Sequence, residues 1–298
     1  MPEKKMSKCV IETPMQKTLM KPKMDCDTIN PNHLLEVRTS NGATFKGIIE
    51  SLKNVLNEAN FVFSDRGLRV SMADSREVCA SFLTLDPSYF DTYHCKEKMV
   101  LGVDINNFFR CIKNLKSSTS LSFIVAKNDI GRLKIVINNE DRGSRAEHYL
   151  VLRNLNSEQW EMIDNLELEF SIDPPEIESI ELQSICRHFH SIHAKEVEIV
   201  HQVERDFDTL SFRSIGGDME SIHYLKIHPA VSEPDYNPDP TRVSGRFLLY
   251  FLKQFTSSAT HLSSKIRVSI RQDNCLLLEY ILPGSGNHLR YLLFQIDD

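Results

Sequence analysis

Apolar residues at Phe45, Ile48, Ile49, Leu52, Val55, Leu56 and Ala59 recur with the i, i+3, i+4, i+7 spacing of one helix face. Lys46, Glu50, Lys53 and Asn57 fall on the opposite face. The period then changes to two. Phe61 to Phe63 and Leu68 to Met72, joined by Ser64-Asp65-Arg66-Gly67, predict a hairpin whose glycine supplies the positive φ of the turn. The alternation of Leu35 and Val37 predicts a strand over His33 to Thr39, before the helix.

The same alternation of periods continues down the chain. Asp104 is a good N-cap for a second helix, Ile105 to Lys116, with Ile105, Phe108, Phe109, Ile112 and Leu115 inward and Arg110, Lys113 and Lys116 outward. A third helix, Ile180 to Ile192, buries Leu182, Ile185, Cys186 and Phe189 and leaves Arg187, His188 and His190 largely off that stripe. After a loop carrying Pro229, Pro234, Pro238 and Pro240, a fourth helix is expected to start at a Ser244 cap. It buries Phe247, Leu248, Phe251, Leu252 and Phe255 and carries Arg246 and Lys253. Strands are expected between the helices, among them Phe82–Leu85, Met99–Val103, Leu121–Val125, Leu133–Ile137 and Tyr149–Leu152 in the first half. The second half adds Glu169–Ile172, Val197–Val200, Thr209–Ser214, Ser221–Ile227, Ile266–Ile270, Leu276–Ile281 and Leu289–Gln295.

Helix-then-strands therefore occurs four times, and the larger unit repeats at roughly 140 residues, too long for a solenoid. The 298 residues suit two similar α+β domains, each with two helices on one face of antiparallel sheets. The expected division is a disordered lysine-bearing tail at 1–32, a first domain at 33–155, an acidic connector at 156–168 and a second domain at 169–298.

Charge sharpens this picture. The formal net charge is -6, which argues against a generic nucleic-acid coat, but the charge is segregated. From Asn154 to Cys186 there is no lysine or arginine, while basic residues sit on helix faces. Seven scattered cysteines, never in a C-x-x-C pair, read as reduced thiols of an intracellular protein. No apolar run is long enough for a signal peptide or a membrane span, so no membrane partner is expected.

Motifs for chemistry are absent. Gly284-Ser285-Gly286 lies between two strands and reads as a hairpin turn. His190 and His193 are helix neighbours, but no cysteine or carboxylate completes a tetrahedral set, so no metal or other cofactor is expected. No nucleophile motif occurs, and the chain is not expected to be an enzyme.

Several stretches in order resemble the ring-shaped DNA sliding clamps of the proliferating cell nuclear antigen type. They are FKGIIESLKNVLNEA with SMADS, PSYFDTYHC before VLGVDINNFFRCIK, ELQSICRHF, and LLLEYILPGSGNHLRYLLFQI. The similarity runs from about His33 to the C-terminus. Cys275 and Gln295 stand where the family usually has proline, a divergence that suits a viral or otherwise distant member. The resemblance implies a DNA clamp fold, with the helices lining a ring channel of three identical subunits around double-stranded DNA. It implies a polymerase processivity factor serving DNA replication and repair, with polymerase, other clamp-binding-peptide proteins and a clamp loader as partners, in the nucleus or at a viral replication site.

Residue by residue, the resemblance carries DNA contact onto Lys46, Lys53, Arg110, Lys113 and Arg187, and helix position adds Lys116 and Lys253. It places a partner-peptide site at Met72, Trp160, Met162, Leu292 and Phe294. Two long edge strands, Arg145 to Arg153 and Met219 to His228, are rich in β-formers without an internal proline, a liability if left open. The family pairs such edges between subunits, which makes Tyr149, Val151, Ile222 and Tyr224 expected interface residues. The competing reading is a clamp-like accessory scaffold, monomeric or in a mixed ring, that never encircles DNA.

Overall fold

The computed structural model describes residues 30–116, 119–155, 174–204, 207–227, 241–271 and 275–296. Most of the tail, the proline-rich loop, the predicted strand Glu169–Ile172, and the connector with Trp160 and Met162 lie outside the described residues. No described helix is long and apolar enough to cross a membrane.

Two sheets belong to one half each. The first half builds a five-stranded antiparallel sheet from β1 (His33–Thr39), β5 (Thr92–Cys95), β7 (Thr119–Ala126), β8 (Asp129–Asn139) and β9 (Ser144–Val151), in the order β5-β1-β7-β8-β9. The second half builds a four-stranded one from β11 (Glu196–Glu204), β12 (Phe207–Ile215), β13 (Ile222–Lys226) and β14 (Thr241–Leu248), ordered β13-β12-β11-β14.

The third sheet is shared. β2 (Glu58–Ser64), β3 (Gly67–Ala73), β4 (Cys79–Leu85) and β6 (Met99–Asp104) come from the first half. β10 (Glu176–Glu178), β15 (Lys265–Ile270), β16 (Cys275–Ile281) and β17 (His288–Phe294) come from the second. They run β10-β15-β16-β17-β4-β3-β2-β6, joined where β17 pairs with β4 from His288↔Thr84 to Leu293↔Cys79.

Helices α1 (Gly42–Lys53), α2 (Ile105–Ile112), α3 (Ser179–Ser191) and α4 (Leu249–Thr256), with the single turn α5 (Ala259–Leu262), cover one side of these sheets. Their apolar stripes are what hold them there. Phe45 of α1 and Phe108 of α2 meet Phe123 of β7 at ring-centroid distances of 5.0 and 5.6 Å. Each is fully buried, and truncating such a ring costs about 3–5 kcal/mol. In the second half Phe255 of α4 stacks on Tyr291 of β17 at 4.4 Å. The halves also touch through their helices. Ser51 Oγ and Tyr291 OH are 2.5 Å apart, and Asn54 Nδ2 donates to Ser257 Oγ at 2.6 Å. Gly47 lets α1 approach α5 closely: a Cβ there would stand 2.9 Å from that of His261.

Local expectations hold where the sequence signal is local. Asp104 caps α2 by accepting from the Asn107 N–H at 2.9 Å. The hairpin between β2 and β3 turns at Gly67 with φ +97°, where a Cβ would sit 2.1 Å from the Leu85 carbonyl oxygen. The fourth helix is a correction. Ser244 caps nothing, because Thr241–Leu248 is strand β14, paired with β11 from Val203↔Thr241 to Glu196↔Leu248. Val243, Gly245 and Phe247 turn inward while Arg242, Ser244 and Arg246 turn outward, so α4 begins only at Leu249. The second helix also ends early, at Ile112 rather than Lys116.

Candidate nucleic-acid interface and subunit edges

The helix period that buries one face of each helix pushes its basic residues to the other. Lys46 and Lys53 stand on α1, Arg110 on α2, Lys113 and Lys116 just beyond it, Arg187 on α3 and Lys253 on α4. Glu50 and Glu181 are the only carboxylates within these four helices. Among the described residues none of the seven cations has a carboxylate partner within ion-pair distance. The face is nonetheless organised. Lys53 Nζ sits 4.8 Å from the centre of the Phe109 ring, a cation–π contact that bridges α1 and α2. Gln183 near the start of α3 donates to the carbonyl oxygens of Thr256 and Ser257 at the end of α4, at 2.6 and 3.0 Å. The first half of α3 therefore lies against the end of α4. Five of the seven residues expected to contact DNA thus stand on these four helices, and Lys113 and Lys116 follow α2 directly.

The expected partner-peptide residues do not all come together. On β17, Leu289, Tyr291 and Leu293 face the core, so Leu292 and Phe294 face the other side of the shared sheet. There Leu292 packs with Ala80, Cys275 and Leu277, flanked by Ala73 and Phe82, while Phe294 is exposed. Met72 pairs with Ser81 and packs against the main core, on the opposite face. Side chains alternate along a strand, so it is the neighbouring Ala73, not Met72, that borders this apolar patch. Trp160 and Met162 lie outside the described residues.

The expected interface residues stand on two open edges. β9 ends the five-stranded sheet and β13 ends the four-stranded one. Tyr149 and Val151 are 50% and 67% exposed, and Ile222 and Tyr224 are 41% and 69% exposed. Backbone pairing shows which groups are open. Ile227 N–H bonds Asp208 O and Ser214 N–H bonds Ser221 O, so alternate residues of β13 bond to β12. Ile222, Tyr224 and Lys226 accordingly turn their N–H and C=O groups outward. On β9 the Leu152 N–H bonds Gly131 O, and by the same alternation Arg145, Glu147, Tyr149 and Val151 face the open side. Arg145, with Lys134 and the Tyr149 hydroxyl, holds the Glu147 carboxyl down at about 2.

Sequence reasoning missed the partners of the histidines. His193 Nδ1 is 2.6 Å from Asp218 Oδ2. His188 is in ring contact with His223 of β13 at 5.4 Å, and its Nε2 is 3.2 Å from Ser221 Oγ. His188 and His223 are 35 positions apart, and only the packing of α3 on β13 joins them.

A single helix layer, two halves welded through a common sheet, and one open strand edge at each end define the fold of a ring-type clamp. Residues 34–160 match the family model for the proliferating cell nuclear antigen N-terminal domain. The crystal structure of proliferating cellular nuclear antigen from Entamoeba histolytica matches with a TM-score of 0.74 at 21% identity, covering 89% of this chain and 100% of that one. A protein of Paramecium bursaria Chlorella virus 1, named probable DNA polymerase sliding clamp 1, is 26% identical over 273 residues, covering 89% of this chain and 98% of the viral one. The chain therefore has the fold of proliferating cell nuclear antigen, and residues 34–160 are similar to that family's N-terminal domain.

Proposed function

We propose that the chain is a DNA sliding clamp, a processivity factor that closes as a ring of three copies around duplex DNA and tethers polymerase to it. The observation that carries this reading is a set of helix cations with no carboxylate partner among the described residues, in a chain with two open sheet edges. An edge of one kind meeting an edge of another is a heterologous contact, which either closes or grows into a filament. Closure puts the helices inside, where lysine and arginine meet phosphate without reading bases, as sliding requires. The viral relative named a sliding clamp supports the reading across nearly its whole length.

In this reading the subunit has two clamp domains, 33–155 and 169–298, joined by the connector at 156–168. Leu292 and Phe294, with the connector's Trp160 and Met162, are the proposed contacts for partner peptides. A clamp loader opens the ring, and the protein works at the site of replication. In this reading the chain tethers the enzymes of replication rather than acting as one. Light scattering over a range of concentrations, combined with retention on circular against linear DNA, tests the proposal. A trimer held on closed circles and lost from linear ends is the expected result. A chain that stays monomeric at high concentration overturns it in favour of the accessory scaffold.

A further inference from the structure

The open edge of β13 has an inner lining of imidazoles. His223 turns toward the helices, its ring 5.4 Å from Phe189 and 5.4 Å from His188 of α3. On β9 the residues that turn the same way are Ala146, His148 and Leu150, the last buried in the core. Both edges therefore present one histidine on their helix side.

Which residues meet follows from the backbone groups already described. Every described strand pairing in the molecule is antiparallel, and an antiparallel edge-to-edge contact continues the two sheets into one. The outward residues of β13 are Ile222, Tyr224 and Lys226, and those of β9 are Arg145, Glu147, Tyr149 and Val151. Only two registers engage all three of the former. In one, Tyr149 meets Ile222 and His148 stands directly opposite His223. In the other, Tyr149 meets Tyr224 and His148 stands opposite Leu225, diagonal to His223. Opposite and diagonal side chains on one sheet face both lie within reach of an imidazole.

We propose that each subunit boundary is proton-sensitive, because the partner subunit's His148 closes over His223 and His188 to form a cluster of imidazoles that holds only while neutral. This rests on the ring reading above and names further residues of the boundary. The charged surroundings favour neutrality. Burial, and next the charge of His188, already push the His223 pKa below its ordinary value, while Glu181 of α3 pulls it back in part. Across from His223 on β12 stands Phe212, which carries no charge. Tyr224 and Lys226 face the other side of β13. Asp218, in the middle of the β12–β13 turn, is taken by His193, and Glu220 of the same turn by Arg213. Around the partner's His148, the β8 neighbour is Ile135, and Glu147 and Tyr149 face away. The helix over β9, α2, carries no carboxylate, and its one charge, Arg110, is exposed on its outward face. A pKa lowered by assembly means that separated subunits bind more protons. Assembly is therefore at full strength at neutral pH and above, and weakens as pH falls below the free-imidazole value of about 6.5.

The experiment measures the trimer's dissociation by light scattering on dilution at pH 7.5 and pH 6.0, for the full chain and for His223→Phe and His148→Phe. It also follows the ring NMR signals of the histidines through a titration at high and low protein concentration. Wild type is expected to dissociate more readily at pH 6.0, by up to about fourfold for each imidazole whose pKa assembly lowers from about 6.5. Either phenylalanine keeps the ring packing and is expected to flatten that dependence. The titration is expected to show imidazole pKa values lower in the trimer than in the diluted subunit. Trimers with the same dissociation at both pH values, or variants that keep the wild-type pH dependence, overturn the proposal while leaving the ring intact. A chain that never assembles at any pH overturns the ring reading itself.

Discussion

The cations of this chain live in two different circumstances. On the sheets they are neutralised locally. Arg132 pairs with Asp129 at 2.6 Å, Lys134 with Glu147 at 3.0 Å, Arg213 with Glu220 at 2.8 Å and Arg290 with Glu279 at 2.7 Å. Arg153 forks between Glu58 at 2.8 Å and Asp104 at 2.6 Å. On the helices the seven cations have no such partner among the described residues. Surface pairs contribute little to stability, so the difference is not about holding the fold. It separates charge that is spent inside the molecule from charge left available for something outside it. That also explains how a protein of net charge -6 presents a basic wall.

Four changes break or sharpen this contrast. The largest effect is expected at an edge, because without closure the helix wall surrounds nothing. In Tyr224→Pro the outward N–H of β13 is lost while the bonds from β13 to β12 persist. Light scattering should then report monomers, with the far-ultraviolet circular dichroism of each subunit retained. Next comes the wall itself. Reversing Lys53, Arg110 and Arg187 to glutamate is expected to abolish stimulation of polymerase on primed circular DNA. Trimer mass should be unchanged and thermal stability should move little, since surface changes stay within about 0.5 kcal/mol each. If that triple variant supports synthesis normally, the helices do not face DNA.

The paired cations should answer in the opposite sense. Arg153→Ala removes two carboxylate contacts from a half-exposed side chain and is expected to cost about 1 kcal/mol in denaturant unfolding. DNA retention should be unaffected in that variant. The smallest effect is that of Lys253→Gln. One lost phosphate contact should flatten the salt dependence of DNA binding by a slope of about 0.9, with no change in melting temperature. A stability loss from Lys253→Gln, or a DNA defect from Arg153→Ala, would erase the distinction between the two surfaces.

The basic wall was legible because helix periodicity is local. Once Phe45, Ile48 and Leu52 are assigned inward, Lys46 and Lys53 have only one side left. The edges were legible for a similar reason, from long β-forming runs without proline. β14 was not, because its inward position 245 is glycine, so the alternation from Val243 to Phe247 lacks its middle apolar residue. The phenylalanines that follow then fit a helix reading that starts too early. Met72 was assigned to the peptide patch through family resemblance, and only strand parity shows that it faces the core while Ala73 faces the patch. The His188–His223 contact and the pairing of β17 with β4 join residues remote in sequence. No local pattern announces either.

That last pairing has a mechanical consequence. A run of six residues on each strand, from Thr84 to Cys79 against His288 to Leu293, spans what would otherwise be a hinge between the halves. Sliding one half past the other would have to shear a continuous ladder of hydrogen bonds with Leu289, Tyr291 and Leu293 fully buried beneath it. The subunit therefore behaves as one stiff arc. In the proposed ring, opening is therefore expected to strain the joints between copies, so that the gate for DNA is a boundary between subunits rather than a bend within one.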